Sequence, residues 1–190
     1  MDVREELRQR WARPALVAVL VIFIDQLSKA WIWRELGPIE GSSRPLLGSW
    51  LSLTLVKNNG VAFGLFQNIP YFFTITSVLI SIGAILFYRY QLPNNRPWVQ
   101  LSLGLIVGGA IGNIIDRLRI GFVIDFVHVS WFPGIFNAAD SAITVGVIML
   151  AGYLVLIGEK SGAAGPAPAD DALLGELLGQ DQWPRGSDRQ

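Results

Sequence analysis

Apolar positions gather into four long runs separated by polar stretches, covering roughly 14–33, 69–88, 98–116 and 138–157. Each run approaches the ~20 residues a helix needs to cross a hydrocarbon core. Trp31, Trp33, Tyr71, Tyr88, Trp98 and Tyr153 lie near the ends of these runs, where aromatic rings with one polar edge favour a membrane–water boundary. The pattern predicts an all-α membrane protein with four transmembrane helices. Between the first two spans, Trp50 to Val56 alternates apolar and polar residues as a half-buried strand does. The run Gly60 to Phe66 continues it, so segment 34–68 predicts a small β-cradle on the membrane surface.

Composition sharpens this picture. The 190 residues are 52% hydrophobic and 16% charged, against about 25% charged for an ordinary soluble domain. Lys+Arg and Asp+Glu balance at 15 each, which gives no electrostatic footprint for nucleic acid. The absence of Cys removes thiol nucleophiles and disulfides, and a single His, His128, excludes a multi-histidine metal site. No cofactor and no metal are expected.

Charge asymmetry predicts the orientation. Arg4, Arg8, Arg10 and Arg13 precede the first span, and the 89–97 loop carries Arg89 and Arg96 with no acid. Basic loops stay on the cytoplasmic side, so both termini are expected inside. The division is a 1–13 cytoplasmic N-terminal tail, a 14–160 membrane domain with its β-cradle on the extracytoplasmic side, and a 161–190 disordered cytoplasmic tail. The first run is longer than the ~7–15 apolar residues of a cleaved signal peptide. It also contains Asp25 and Lys29, so it reads as a retained span.

The acids carry the chemistry. A carboxylate at bilayer depth is costly and marks function by default. Asp25 lies roughly 16 Å into the first span at 1.5 Å per residue. Asp116 ends the third span, Asp140 opens the fourth, and Asp125 lies in the connection between them, so four acids converge near the outer surface. Three of them have a structural alternative. Asp25 and Lys29 are an i, i+4 pair in the favoured order, with Lys29 free to snorkel outward. Asp116 shares a stripe with Gly104, Gly108 and Gly112, where small residues allow close helix approach, and could pair with Arg117 or Arg119. Asn137 and Asp140 are spaced as an N-cap and its N3 acid. Asp125, a loop acid among apolar neighbours, has no adjacent cation to explain it. Asn58 and Asn59 before Gly60 read as a turn with an amide to spare. His128 reads as a packed or interfacial residue. Ser28 and Lys29 point about 100° apart on a helix, poorly placed for a Ser/Lys protease.

Four boxes in this order resemble the lipoprotein signal peptidases, the signal peptidase II family of intramembrane aspartyl proteases. They are Asp25-Gln26-Leu27-Ser28-Lys29, Asn58-Asn59-Gly60-Val61-Ala62-Phe63, Gly112-Asn113-Ile114-Ile115-Asp116-Arg117 continuing through Gly121 to Val123-Ile124-Asp125-Phe126, and Phe136-Asn137-Ala138-Ala139-Asp140-Ser141. The resemblance spans about 14–157 and implies a catalytic pair of Asp125 and Asp140. It implies that Asp25, Lys29, Asn58, Gly60, Asn113, Arg117 and Asn137 shape the site or hold substrate, with Asp116 as structural support. It further implies a monomer in the bacterial cytoplasmic membrane, among membrane lipids, whose substrates are diacylglyceryl-modified prolipoproteins cut immediately before the lipidated Cys. Two carboxyls suffice for such hydrolysis, because neighbouring acids in a low dielectric cannot easily both ionise and one keeps a proton. A proton- or ion-coupled transporter is the alternative that membrane acids allow. Against it, the acids crowd one side and no inverted repeat is apparent.

Overall fold

The computed structural model describes residues 3–59, 72–93 and 95–158. The proposed continuation strand at Gly60–Phe66, Gly60 itself and the 161–190 tail lie outside the described residues. The chain forms two units, Met1–Tyr153 and Leu154–Gln190. Within the second, Leu154–Gly158 is a π-helical turn.

Helix α1 (Val3–Leu36) runs through the Arg-rich segment as well as the first apolar run. Strands β1 (Ser43–Leu47) and β2 (Leu51–Asn58) follow, then α2 (Phe72–Gln91) and α3 (Pro97–Ile120). After them come β3 (Val123–Val129), β4 (Ile135–Phe136) and α4 (Ala138–Tyr153). Among the described residues, three stretches are long and apolar enough to cross a membrane: Arg10–Leu36, Pro97–Ile120 and Ala138–Leu156. Large apolar side chains such as Phe23, Leu79 and Ile148 point outward from α1, α2 and α4.

The glycines of α3 let its neighbours close on it. A Cβ at Gly104 would lie 2.5 Å from Val17 Cβ, and one at Gly108 would lie 2.8 Å from both Cα and O of Ala18. The Gly104–Gly108–Gly112 stripe therefore seats α1. Gly109 faces the backbone of Ala139, and a Cβ at Gly146 would meet Ser102 O at 2.9 Å, so α3 and α4 meet through small residues on both sides. At the far end, Tyr88 of α2 is fully buried and donates to Arg10 O at 2.8 Å. Its ring meets Trp11 edge-on at 5.1 Å. Leu92, Val99 and Leu103 complete that cluster.

The sheet is antiparallel in the order β1-β2-β3-β4. It is larger than the 34–68 cradle predicted, because β3 and β4 come from the connection between α3 and α4. That connection gave no strand signal: Val123 to Phe126 is buried on both faces, so its apolar run lacks alternation. One face packs Leu53, Leu55, Ile124 and Phe126 against Ile32, Trp33 and Leu36 at the end of α1. Successive residues of a strand face opposite sides, so Asp125 points to the other face. Gly121, at φ 83°, ends α3 by donating its N–H to Arg117 O at 3.1 Å. This left-handed turn reverses the chain into β3 within two residues.

Gly108→Ala should destabilise the protein by about 1–3 kcal/mol, the cost of overpacking against backbone that cannot yield. Gly83→Ala, with no atom within 4 Å of the added methyl, should not. Thermal unfolding of the two variants in one detergent makes the comparison.

Candidate active site

The site grows from a buried ammonium. Lys29 does not snorkel; it is 2% exposed and points inward from α1. Its Nζ lies 2.7 Å from Asp25 Oδ2 and 2.9 Å from Asp116 Oδ2. Asp116 thus pairs with Lys29, because its place on the glycine stripe turns it toward α1. Each carboxylate spends its remaining capacity on a backbone N–H. Asp25 Oδ1 accepts from Ala139 at 3.0 Å, fixing the first turn of α4. Asp116 Oδ2 accepts from Ile124 at 3.2 Å, fixing β3 beside Asp125. Gln26 donates to Asp116 Oδ1 at 2.9 Å and to Gly112 O at 3.2 Å. One cationic side chain therefore joins α1 to both elements that carry the acids.

The direction of the next hydrogen bonds follows from Lys29. An ammonium offers only donors, so Asn113 turns Oδ1 to it at 3.0 Å. Asn113 Nδ2 then faces Asp140 Oδ1 at 2.8 Å. Asn137 is fixed in the same way. Its Oδ1 accepts the Asp140 N–H at 2.9 Å while its own N–H donates to Asp140 Oδ2 at 3.2 Å. This is the reciprocal capping arrangement that the Asn137–Asp140 spacing predicts. Asn137 Nδ2 is left for Asp125 Oδ1 at 2.6 Å and Asn113 Oδ1 at 3.1 Å. Asn58, at the end of β2, donates to Asp125 Oδ2 at 2.8 Å.

Asp125 is a strand residue, not a loop acid, and is 2% exposed. Burial pushes its carboxyl up to about 6, with the nearby Asp140 charge acting in the same sense. The amides of Asn58 and Asn137 and the more distant Lys29 charge oppose the rise without cancelling it. Asp140 differs in setting: it is only half-buried and lies in the first turn of α4, where the helix dipole favours negative charge. Arg117, half-buried on α3, faces Asp140, Asp125 and Asp116. Two carboxyls in electrostatic contact, one dry and one at a helix N-terminus, form the arrangement that splits a pair into acid and base.

Asp140 also borders a cavity of about 430 Å³ walled by Val129, Trp131, Phe132, Phe136, Thr144 and Val145. His128 lies apart from the acids and exchanges a hydrogen bond with Ser52 at 3.3 Å. Among the described residues, no three His, Asp or Glu side chains converge as metal ligands. Of the residues expected at the site, Asp25, Lys29, Asn58, Asn113, Asp116, Arg117, Asp125, Asn137 and Asp140 come together. The sequence gives Gln26 no role, because its partners on α3 lie 86, 90 and 93 residues away and nothing local announces them.

The chain matches the family model described as signal peptidase (SPase) II over residues 17–156. It is 48% identical over 147 residues to the lipoprotein signal peptidase of Moorella thermoacetica, covering 77% of this chain and 95% of that one. Identity to the lipoprotein signal peptidase of Caldanaerobacter subterraneus subsp. tengcongensis is 41% over 141 residues, covering 74% and 94%. A solved bacterial membrane enzyme superposes with a TM-score of 0.66 at 30% identity, covering 81% of this chain and 92% of that chain. A second such structure gives 0.66 at 33% identity, covering 76% and 92%.

The raised Asp125 carboxyl ties stability to pH. The folded state holds this proton more tightly than the unfolded chain, so the contribution is fully present below pH ~4. It is lost as pH rises through about 6, the value to which burial lifts the group. Over that interval the native protein should lose about 3 kcal/mol relative to Asp125→Asn. Parallel unfolding measurements from about pH 4 to about pH 7 read this difference; parallel curves would contradict it.

Proposed function

The chain belongs to the signal peptidase II family, and on that premise we propose that Asp125 and Asp140 are the pair that hydrolyses the peptide bond. The protein is an aspartic endopeptidase of the bacterial membrane that removes signal peptides from prolipoproteins. The observation that carries the assignment is the single amide, Asn137, that caps one acid and donates to the other. It supports a division of labour. Asp125, buried and accepting from two neutral amides, holds the proton and offers it to the scissile carbonyl oxygen. Asp140, at the helix N-terminus and bordering the open cavity, is the carboxylate that takes a proton from the attacking water. As the tetrahedral intermediate collapses and the C–N bond breaks, Asp140 returns that proton to the departing nitrogen, Asp125 takes its own proton back from the former carbonyl hydroxyl as the C=O re-forms, and the pair is reset. Arg117 and Asn58 lie close enough to help hold the peptide and the developing oxyanion.

The substrate is a diacylglyceryl-modified prolipoprotein, cut immediately before the lipidated Cys. A lipid-anchored Cys brings its scissile bond to the membrane boundary, where the sheet and the acids lie, and the apolar cavity beside Asp140 suits an apolar segment of that substrate. The topology in this reading has four spans with α2 as the second, both termini in the cytoplasm and the sheet outside. The enzyme works as a monomer in the cytoplasmic membrane.

Purified protein should cleave a diacylglyceryl-modified prolipoprotein before the lipidated Cys. Asp125→Asn and Asp140→Asn should fold yet lose about a thousandfold or more in kcat. Near-native activity in either variant contradicts the assignment.

A second expectation concerns Lys29. Lys29→Met leaves Asp25 and Asp116 without their cation and should cost about 3–5 kcal/mol of stability, read by thermal unfolding in detergent. The triple variant Asp25→Asn, Lys29→Met, Asp116→Asn leaves no charge unpaired and should recover part of that loss; equal stability of Lys29→Met and the native protein would contradict the role given to Lys29.

A further inference from the structure

A second cavity of about 430 Å³ lies between α1 and α3 and shares no lining residue with the cavity beside Asp140. Its walls include Trp33, Arg34, Arg119 and Ile120, with Gln26 and Asp116 among the inner residues. Beside it, Lys57 of β2 sits 5.7 Å from the Trp33 ring centroid and 5.7 Å from that of Phe122, and the two rings stack at 6.3 Å. Among the described residues, none of these three cations has a carboxylate at ion-pair distance. Asp25 and Asp116 are taken by Lys29, and Glu35 is taken by Arg44 at 3.3 Å. Among the residues lining the cavity, one carboxylate, Asp116, faces three cations, Lys29, Arg34 and Arg119, and Lys57 stands beside them over the Trp33 ring. The positive excess is therefore local and lies on the rim.

The position of this excess is informative. It sits where two apolar helices end against the sheet, level with Trp31 and Trp33. Exposed Leu27 and Leu118 flank it. Arginine pairs phosphate oxygens with a planar fork, and basic pockets between membrane helices recognise lipid headgroups. A soluble anion would use the arginines but leave the apolar walls and flanks without a partner. A phospholipid uses both, its phosphate on the cations and an acyl chain along the apolar flank. We propose that this cavity binds the headgroup of an anionic membrane phospholipid, with its phosphate held by Arg34 and Arg119. Neither Asp125 nor Asp140 lines this cavity, and the proposal does not depend on their being the catalytic pair.

Native mass spectrometry of the full chain, released from micelles holding equimolar phosphatidylglycerol and phosphatidylcholine, tests this. The protein should retain one phosphatidylglycerol in preference to phosphatidylcholine. The preference should fall by about fivefold for each arginine removed in Arg34→Gln and Arg119→Gln. Lys57→Gln, on the strand rather than the helices, should lower it too and gives a second reading if an arginine variant does not fold. Excess inorganic phosphate should leave the lipid bound. Equal retention of the two lipids, a preference untouched by all three substitutions, or displacement of the lipid by inorganic phosphate would each overturn the proposal.

Discussion

Lys29 is the group on which the site depends. Its ammonium is buried among Asp25, Asp116 and Asn113, and those partners reach the first turn of α4 and the second residue of β3 through backbone N–H groups. Removing one partner of a buried ion pair costs about 3–5 kcal/mol, because a charge is left without compensation. The same charge that joins the elements also sets polarity. A donor-only group selects the carbonyl end of Asn113, and the amide end must then face Asp140. A neutral residue at position 29 would lose the first function and leave the second to Asn137, whose Nδ2 also donates to Asn113 Oδ1 at 3.1 Å. The glycine stripe of α3 makes this possible, since a Cβ at Gly112 would lie 2.6 Å from Asp25 Oδ2.

The two acids then differ for reasons of location rather than of sequence. Asp125 lies on a strand buried on both faces and holds its proton to about pH 6. Asp140 shares Asn137 with it but sits in a helix first turn beside an open cavity. A peptidase without a covalent nucleophile needs one carboxyl protonated and one ionised at the same moment. In the proposed mechanism, burying one acid and placing the other at a helix N-terminus meets that need within fifteen residues of chain. Signal peptide removal at a membrane boundary also needs the pair at the level where a lipid-anchored substrate presents its bond. In the proposed topology the sheet lies at that level, because its inner face closes over the end of α1.

Much of this was legible in the sequence, and the limits were physical. The capping role of Asn137 and Asp140 was readable because capping is local in sequence. So was the packing face of α3, because its glycines repeat at helical spacing. The Asp25–Lys29 pair was visible too, but not its direction. Snorkelling is the default for a lone Lys near a span end, and the second acid that draws Lys29 inward lies 87 residues further on. Asp125 looked like a loop acid because a strand buried on both faces has no alternation. Gln26 gave no signal at all. Each miss involved a partner brought near by the fold, which hydrophobic periodicity along one segment cannot report.

The central claim is that the network leaves the proton of the pair on Asp125. Infrared difference spectroscopy of the protonated carboxyl stretch, on the full chain across pH, tests it most directly. The account predicts one band that titrates near pH 6, is lost in Asp125→Asn and persists in Asp140→Asn. A band that survives in Asp125→Asn and vanishes in Asp140→Asn would reverse the assignment of acid and base and contradict the account.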